Sequence, residues 1–205
     1  MAHANAIFLS LLSGAALVLA LAPGCSNSSA APAVAVIWKV TEGPNGAGTC
    51  GAVYDTFSIG TIPQSGTIVT ESNGSTYNED GGSGGAPVTV QCTVAPTSTG
   101  YSVQAFVEYG DYGSLTINGS IAVSGSAQPG TQTNISGTFG DGIGLAGAKL
   151  ADDDCTVTFT QNANMGIAPS RIWGVIDCPN ATASGNTATM NCDGNAQFLF
   201  ENCAQ

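Results

Sequence analysis

The run Tyr101-Ser102-Val103-Gln104-Ala105-Phe106-Val107-Glu108-Tyr109, its continuation Gly110-Asp111-Tyr112-Gly113, and the run from Ser114 to Val123 decide the fold class. Tyr101, Val103, Ala105, Val107 and Tyr109 alternate with Ser102, Gln104, Phe106 and Glu108. Leu115, Ile117, Gly119, Ile121 and Val123 alternate as regularly with Thr116, Asn118, Ser120 and Ala122. A period of two is that of a half-buried strand, and the glycine-bounded tetrapeptide between the runs makes them a hairpin. One residue breaks the pattern. Phe106 falls on the polar face between Gln104 and Glu108, and Tyr112 stands at the turn. An aromatic ring on a polar β face costs hydration but supplies stacking area, so Phe106 and Tyr112 form the expected contact surface for a glycan or a protein partner. The competing reading covers Phe106 with a loop or a second sheet.

Working outward, a further strand with Ile135, Gly137 and Phe139 facing inward extends the hairpin to a meander, after a turn at Ser124 to Gly130. Upstream, Val88, Val90, Cys92 and Val94 alternate with threonines and Gln91. Val34 to Val40 is dense in β-branched and aromatic residues, and Gly51 to Ile59 is expected to be a second strand. Thr67 to Thr70 makes one more short strand, and Asn78 to Gly85 is too glycine-rich for anything but a loop. Ile143 to Leu150, short and broken by glycine, is ambiguous. Downstream, Cys155 to Thr160, Arg171 to Cys178 and Ala196 to Cys203 are expected strands, with a turn-rich loop from Pro179 to Asn195. No segment carries a capped helical period. Short strands separated by turn signals predict an all-β fold, an antiparallel sandwich with a β-barrel as the alternative. Asp152-Asp153-Asp154 reads as a solvated turn before the Cys155 strand, with calcium ligation as the lesser reading, and no metal site or cofactor is assigned.

Charge and residue type exclude several functions. The chain carries a formal charge of −11, with Lys39, Lys149 and Arg171 against fourteen carboxylates. Phosphate backbones need a basic patch, so nucleic acid is not an expected partner. The single histidine is His3, near the start of an apolar segment. If that segment is removed, serine and cysteine nucleophile systems and imidazole-based zinc sites are ruled out. A carboxylate pair needs no histidine, and Glu108 with Asp111 is the candidate pair for a glycoside hydrolase.

The apolar run Ile7 to Ala22 ends in Leu21-Ala22-Pro23-Gly24-Cys25. This resembles the lipobox of bacterial lipoprotein precursors. The resemblance implies a signal peptide over 1–24, diacylation of Cys25 with palmitate-type chains, a tether over 25–33 and a single extracytoplasmic domain over 34–205. Ser26, where an inner-membrane protein of that class would carry Asp, favours the outer membrane of the cell. The alternative is a soluble secreted protein cut at Ala20-Leu21-Ala22. A retained helix is disfavoured, because the run falls short of the ~20 residues that span a bilayer.

Without Cys25, six cysteines remain: Cys50, Cys92, Cys155, Cys178, Cys192 and Cys203. An even set in an oxidising compartment reads as three disulfides, with fifteen possible connectivities. The preferred set is Cys178 with Cys192 as a local loop closure, Cys50 with Cys92, and Cys155 with Cys203. The functional expectation is a lipid-anchored envelope protein, a non-enzymatic binding or structural module held to the membrane by Cys25. A carbohydrate-binding or adhesion module is the alternative, and a hydrolase the less favoured one.

Overall fold

The computed structural model describes residues 30–43, 50, 56–63, 67–78, 85–123, 130–141, 149–160, 165–184 and 191–205. The alternating runs become strands, and pairing extends most of them beyond the sequence pattern. They are β1 (Ala33–Glu42), β2 (Thr56–Ile59), β3 (Glu71–Ser72), β4 (Thr76–Tyr77), β5 (Ala86–Pro96), β6 (Gly100–Tyr109), β7 (Gly113–Ala122), β8 (Thr131–Asp141), β9 (Lys149–Thr158), β10 (Gly166–Ala168), β11 (Arg171–Ser184) and β12 (Asn191–Glu201). There is no helix among the described residues. The order across the sheet is β2-β1-β12-β11-β9-β8-β7-β6-β5-β4, with β10 beside β11 and β3 beside β1. Every strand pair is antiparallel.

The fold is therefore all-β, antiparallel and stabilised by disulfides. Of the two expected architectures it takes the barrel-like one, a single sheet curled until it nearly closes. Its inward side chains form one cluster, with Trp38, Phe139, Phe198 and Phe200 among the largest, each essentially inaccessible to solvent. Small barrels fill their interior with side chains, and this one does so. Gly137 leaves no room for a side chain, because a Cβ there would lie 2.5 Å from the Cys178 sulfur and 2.9 Å from that of Cys155. A smaller apolar cluster lies outside, where Ile62 and Ile68 cover Ala35 on β1 and Leu199 on β12.

Closure between β1 and β5 uses no long strand. Asn73 N–H donates to the Pro32 carbonyl, and β3 pairs with β1, so this segment is held to the first strand. On the other side Gly74 N–H donates to the Val88 carbonyl, and Val88 N–H donates to that of Ser75. The Asn73 side-chain carbonyl accepts from Val90 N–H at 2.8 Å. Farther along β5, Ala204 N–H donates to the Cys92 carbonyl and Val94 N–H to the Ala204 carbonyl. The outer edge of β5 is satisfied by a turn, a side chain and the C-terminal tail, as buried backbone groups require.

The disulfides differ from the preferred set. They are Cys50–Cys192, Cys92–Cys203 and Cys155–Cys178. The physical reason is that β11 does not stop at Cys178. It bulges between Cys178 and Ala181 and runs on to Ser184, so Cys192 sits in β12 opposite Ala181 and out of reach of Cys178 as a loop partner. Cys178 instead lies one step beyond the Asp177–Thr156 pair, which places it across from Cys155 on β9. Cys92, on the closing edge of β5, meets Cys203 in the tail.

The Asp152–Asp154 triplet is likewise inside β9 and not at a turn. The register with β8 shifts between Ile135–Cys155 and Gly137–Asp152, which puts an extra residue on β9 opposite the bulge of β11. Asp152 holds both irregularities, accepting from Asp154 N–H at 2.9 Å and from Asn180 N–H at 3.2 Å. Bulged strands leave backbone donors unpaired, and a carboxylate supplies what the ladder cannot. β1 begins at Ala33, one residue before the expected domain start. Cys25, the glycine-rich loop at 79–84, most of the Ser124 turn and residues 143–148 lie outside the described residues.

Candidate functional site

β5 pairs with β6 from Val88 to Pro96 and β6 with β7 along its whole length, and these registers place outward side chains in two rows. Gln91, Phe106 and Thr116 stand across from one another in the first; Thr93, Gln104 and Asn118 do so in the second. These six residues line a cleft of about 180 Å³ whose floor is completed by Cys92 and Ala105. Gln91, Gln104 and Asn118 are exposed, and Thr93, Phe106 and Thr116 are half-buried. At ~4.8 Å between strands and ~3.4 Å per residue, the two rows mark a patch of about 10 by 7 Å. The lining is uncharged. Phe106 is its sole aromatic ring, and the amides and hydroxyls around it all donate and accept hydrogen bonds.

Tyr112 does not join this cleft. It is 40% exposed at the hairpin turn, where Gly110 takes the left-handed conformation with φ 49°. Its ring stacks on Tyr109 at 5.1 Å, and Tyr109 meets Tyr77 edge-on at 5.6 Å. The Tyr109 hydroxyl donates to the Tyr77 carbonyl at 3.1 Å, and the Tyr77 hydroxyl donates to that of Gly60 at 3.3 Å. The three tyrosines cap one end of the barrel, with Tyr112 as the outermost ring. The expected contact surface thus divides into an aromatic cleft on the wall and an aromatic cap at the end.

Glu108 and Asp111 are both exposed, on the outer face of β6 and at the turn, and neither lines the cleft. A different carboxylate, Asp193, is the one whose environment perturbs it. Asp193 on β12 and Asp177 on β11 lie on the outer wall beside Asn195, which donates to Asp177 at 3.4 Å and stands opposite Lys39 of β1. Burial, then the charge of Asp177 and a hydrogen bond with it, push the Asp193 carboxyl above its ordinary value, with Lys39 opposing. One Asp193 oxygen, Oδ1, is buried without a hydrogen-bond partner among the described residues. At the other end of the same two strands Arg171 pairs with Glu201 at 3.2 Å and lies 5.6 Å from the centre of the Trp173 ring.

All six expected disulfide cysteines are bonded, so none is a thiol nucleophile. The companions of Phe106 were accessible from sequence in part. The hairpin turn fixes the β6–β7 register, which puts Thr116 opposite Phe106 and Asn118 opposite Gln104. Asp193 carried no such signal, since its approach to Asp177 depends on where β11 bulges. Compared with family models, curated proteins and solved structures, the chain finds no match in any of the three.

Proposed function

We propose that this chain is a lipid-anchored envelope protein of the outer membrane whose barrel is a non-enzymatic binding module, with the cleft around Phe106 as its recognition site. The observation that carries the binding half is the cleft itself, an open, uncharged, hydrogen-bonding patch with one ring at its centre, on a barrel whose interior is packed. The anchoring half rests on Leu21 to Cys25. Its geometry is favourable. The Ala31 carbonyl accepts from Asn202 and that of Pro32 from Asn73, so the chain is docked on the barrel six residues after Cys25. Six residues reach at most about 20 Å, which keeps the domain close to the lipid surface. Two or more acyl chains at ~0.8 kcal/mol per buried methylene hold such a domain stably, where one would not.

The anchoring test is metabolic labelling of the full chain with an alkyne palmitate in a bacterial host that processes lipoproteins. Label and membrane recovery are expected for the parent and absent for Cys25→Ser. An unsubstituted Cys25 thiol in membrane-fraction protein would refute the anchor.

A further inference from the structure

We infer that the Phe106 cleft takes a neutral saccharide, seating one pyranose ring of an uncharged oligosaccharide; this rests on the cleft being the recognition site proposed above. The chemistry of the lining selects the ligand class. Gln91, Gln104, Asn118, Thr93 and Thr116 each donate and accept, which suits a ring of hydroxyls that do the same. Phe106 is half-buried on the middle strand of the patch, and the axial C–H groups of a pyranose present a weakly positive, apolar face to an aromatic ring.

Other ligand classes fit less well. An anion meets no cation in the lining and a chain of charge −11 around it. A cation meets no carboxylate there, since the nearest along the strand, Glu108, is outside the cleft. An extended peptide binds by adding a strand to an open sheet edge, but the cleft lies on the face of β5–β7, where the backbone groups already serve the ladders. Side chains alone are on offer. The cleft is also smaller than the roughly 300–1,000 Å³ that drug-sized ligands fill, so a single ring seats and the rest of an oligosaccharide runs over the surface.

The test is titration of the mature ¹⁵N-labelled chain with neutral trisaccharides of glucose, mannose, galactose and N-acetylglucosamine, and separately with tryptic peptides of casein. The readout is the side-chain amide resonances of Gln91, Gln104 and Asn118. At least one trisaccharide is expected to shift these amides, equally at low and high salt, with binding weakened about tenfold or more in Phe106→Ala. Gln104→Ala and Asn118→Ala, both at exposed positions, give the same reading should Phe106→Ala fold poorly. If the peptides shift these amides and no saccharide does, the saccharide class is overturned while the recognition site stands. If neither probe shifts them, or shifts appear only elsewhere, both the ligand class and the recognition site are overturned.

Discussion

The meander β5–β8 and the seam between β5 and β1 close the same barrel by opposite means. In the meander each strand is ten or eleven residues of alternating sequence, β5, β6 and β7 are joined by long unbroken ladders, and β7 pairs with β8 over Gly113 to Asn118. In the seam the edge of β5 is completed by Ser75, the Asn73 side chain and Ala204, none of them in a strand that alternation would reveal. The Cys92–Cys203 bridge fastens the tail there. A regular ladder spreads its stability over many small contacts, whereas the seam concentrates it in a few. The difference is one of redundancy, and it makes the seam the place where single changes are felt.

The largest effect is expected from opening the seam bridge. Cys92 and Cys203 are 111 residues apart, and closing a loop of that order removes ~4–5 kcal/mol of chain entropy from the unfolded state, somewhat less with the other two bridges intact. Cys92→Ser with Cys203→Ser should therefore destabilise by about 4 kcal/mol in denaturant unfolding. The bridge Cys155–Cys178 spans only 23 residues between strands that are already paired, so the entropic loss on removing it is smaller, about 3 kcal/mol. Hydrogen exchange sharpens the comparison. Without the seam bridge, the amides of Val94 and Ala204 should lose protection well before those of β6 and β7. Uniform loss across the barrel would mean that seam and meander unfold as one unit.

Next in size is Asn73. Its side-chain carbonyl is the acceptor for Val90 N–H, and removing one partner of a bond at a partly buried edge costs about 1–2 kcal/mol. Asn73→Ala should show that loss, and Asn73→Asp, which keeps the acceptor, should recover most of it. Equal loss in both would point to the turn conformation of Asn73 and not to its hydrogen bond.

The same contrast explains what was legible in the sequence. Alternation marked β5–β8, β1 and the first part of β11, because a strand with one face in the core must repeat every second residue. Phe106 stood out for the same reason, as the exception to a rule its neighbours obey. The seam was not legible, since a turn, an amide side chain and the short segment after β12 have no period. The disulfide set was misread through one local feature. Pro179 and the Asn- and Gly-rich run after it signal a loop, yet tertiary pairing of Thr182 with Ala151 and of Ala181 with Cys192 holds the strand through its bulge. Every cysteine assignment that depended on a turn at Pro179 went with it. The Asp152–Asp154 triplet was misplaced for a related reason, because a run of like charge reads as solvated turn while here its first member ties two bulges together.

The smallest expected effect tests, by pH, the β1–β12–β11 wall that borders the seam. Asp193 has its carboxyl raised above 3.8 by burial and by Asp177, with Lys39 the opposing charge. The folded state therefore holds a proton that the unfolded state has already released, in the window from 3.8 up to the raised value. Stability falls with rising pH wherever the native state binds more protons, so across this window the Asp193 contribution decreases as pH increases and then stays constant above it. This is opposite in sign to an ordinary paired carboxylate. Asp193→Asn removes the ionisation, keeps the shape and can donate toward Asp177. It should match the parent at pH below 3.8, diverge through the window, and be the more stable protein at pH 7. Thermal unfolding of both across that range is the measurement. A variant less stable than the parent at pH 7 would show that attraction between Asp193 and Lys39 outweighs the burial and repulsion that raise its carboxyl. It would also make this wall, like the seam, dependent on a single polar contact.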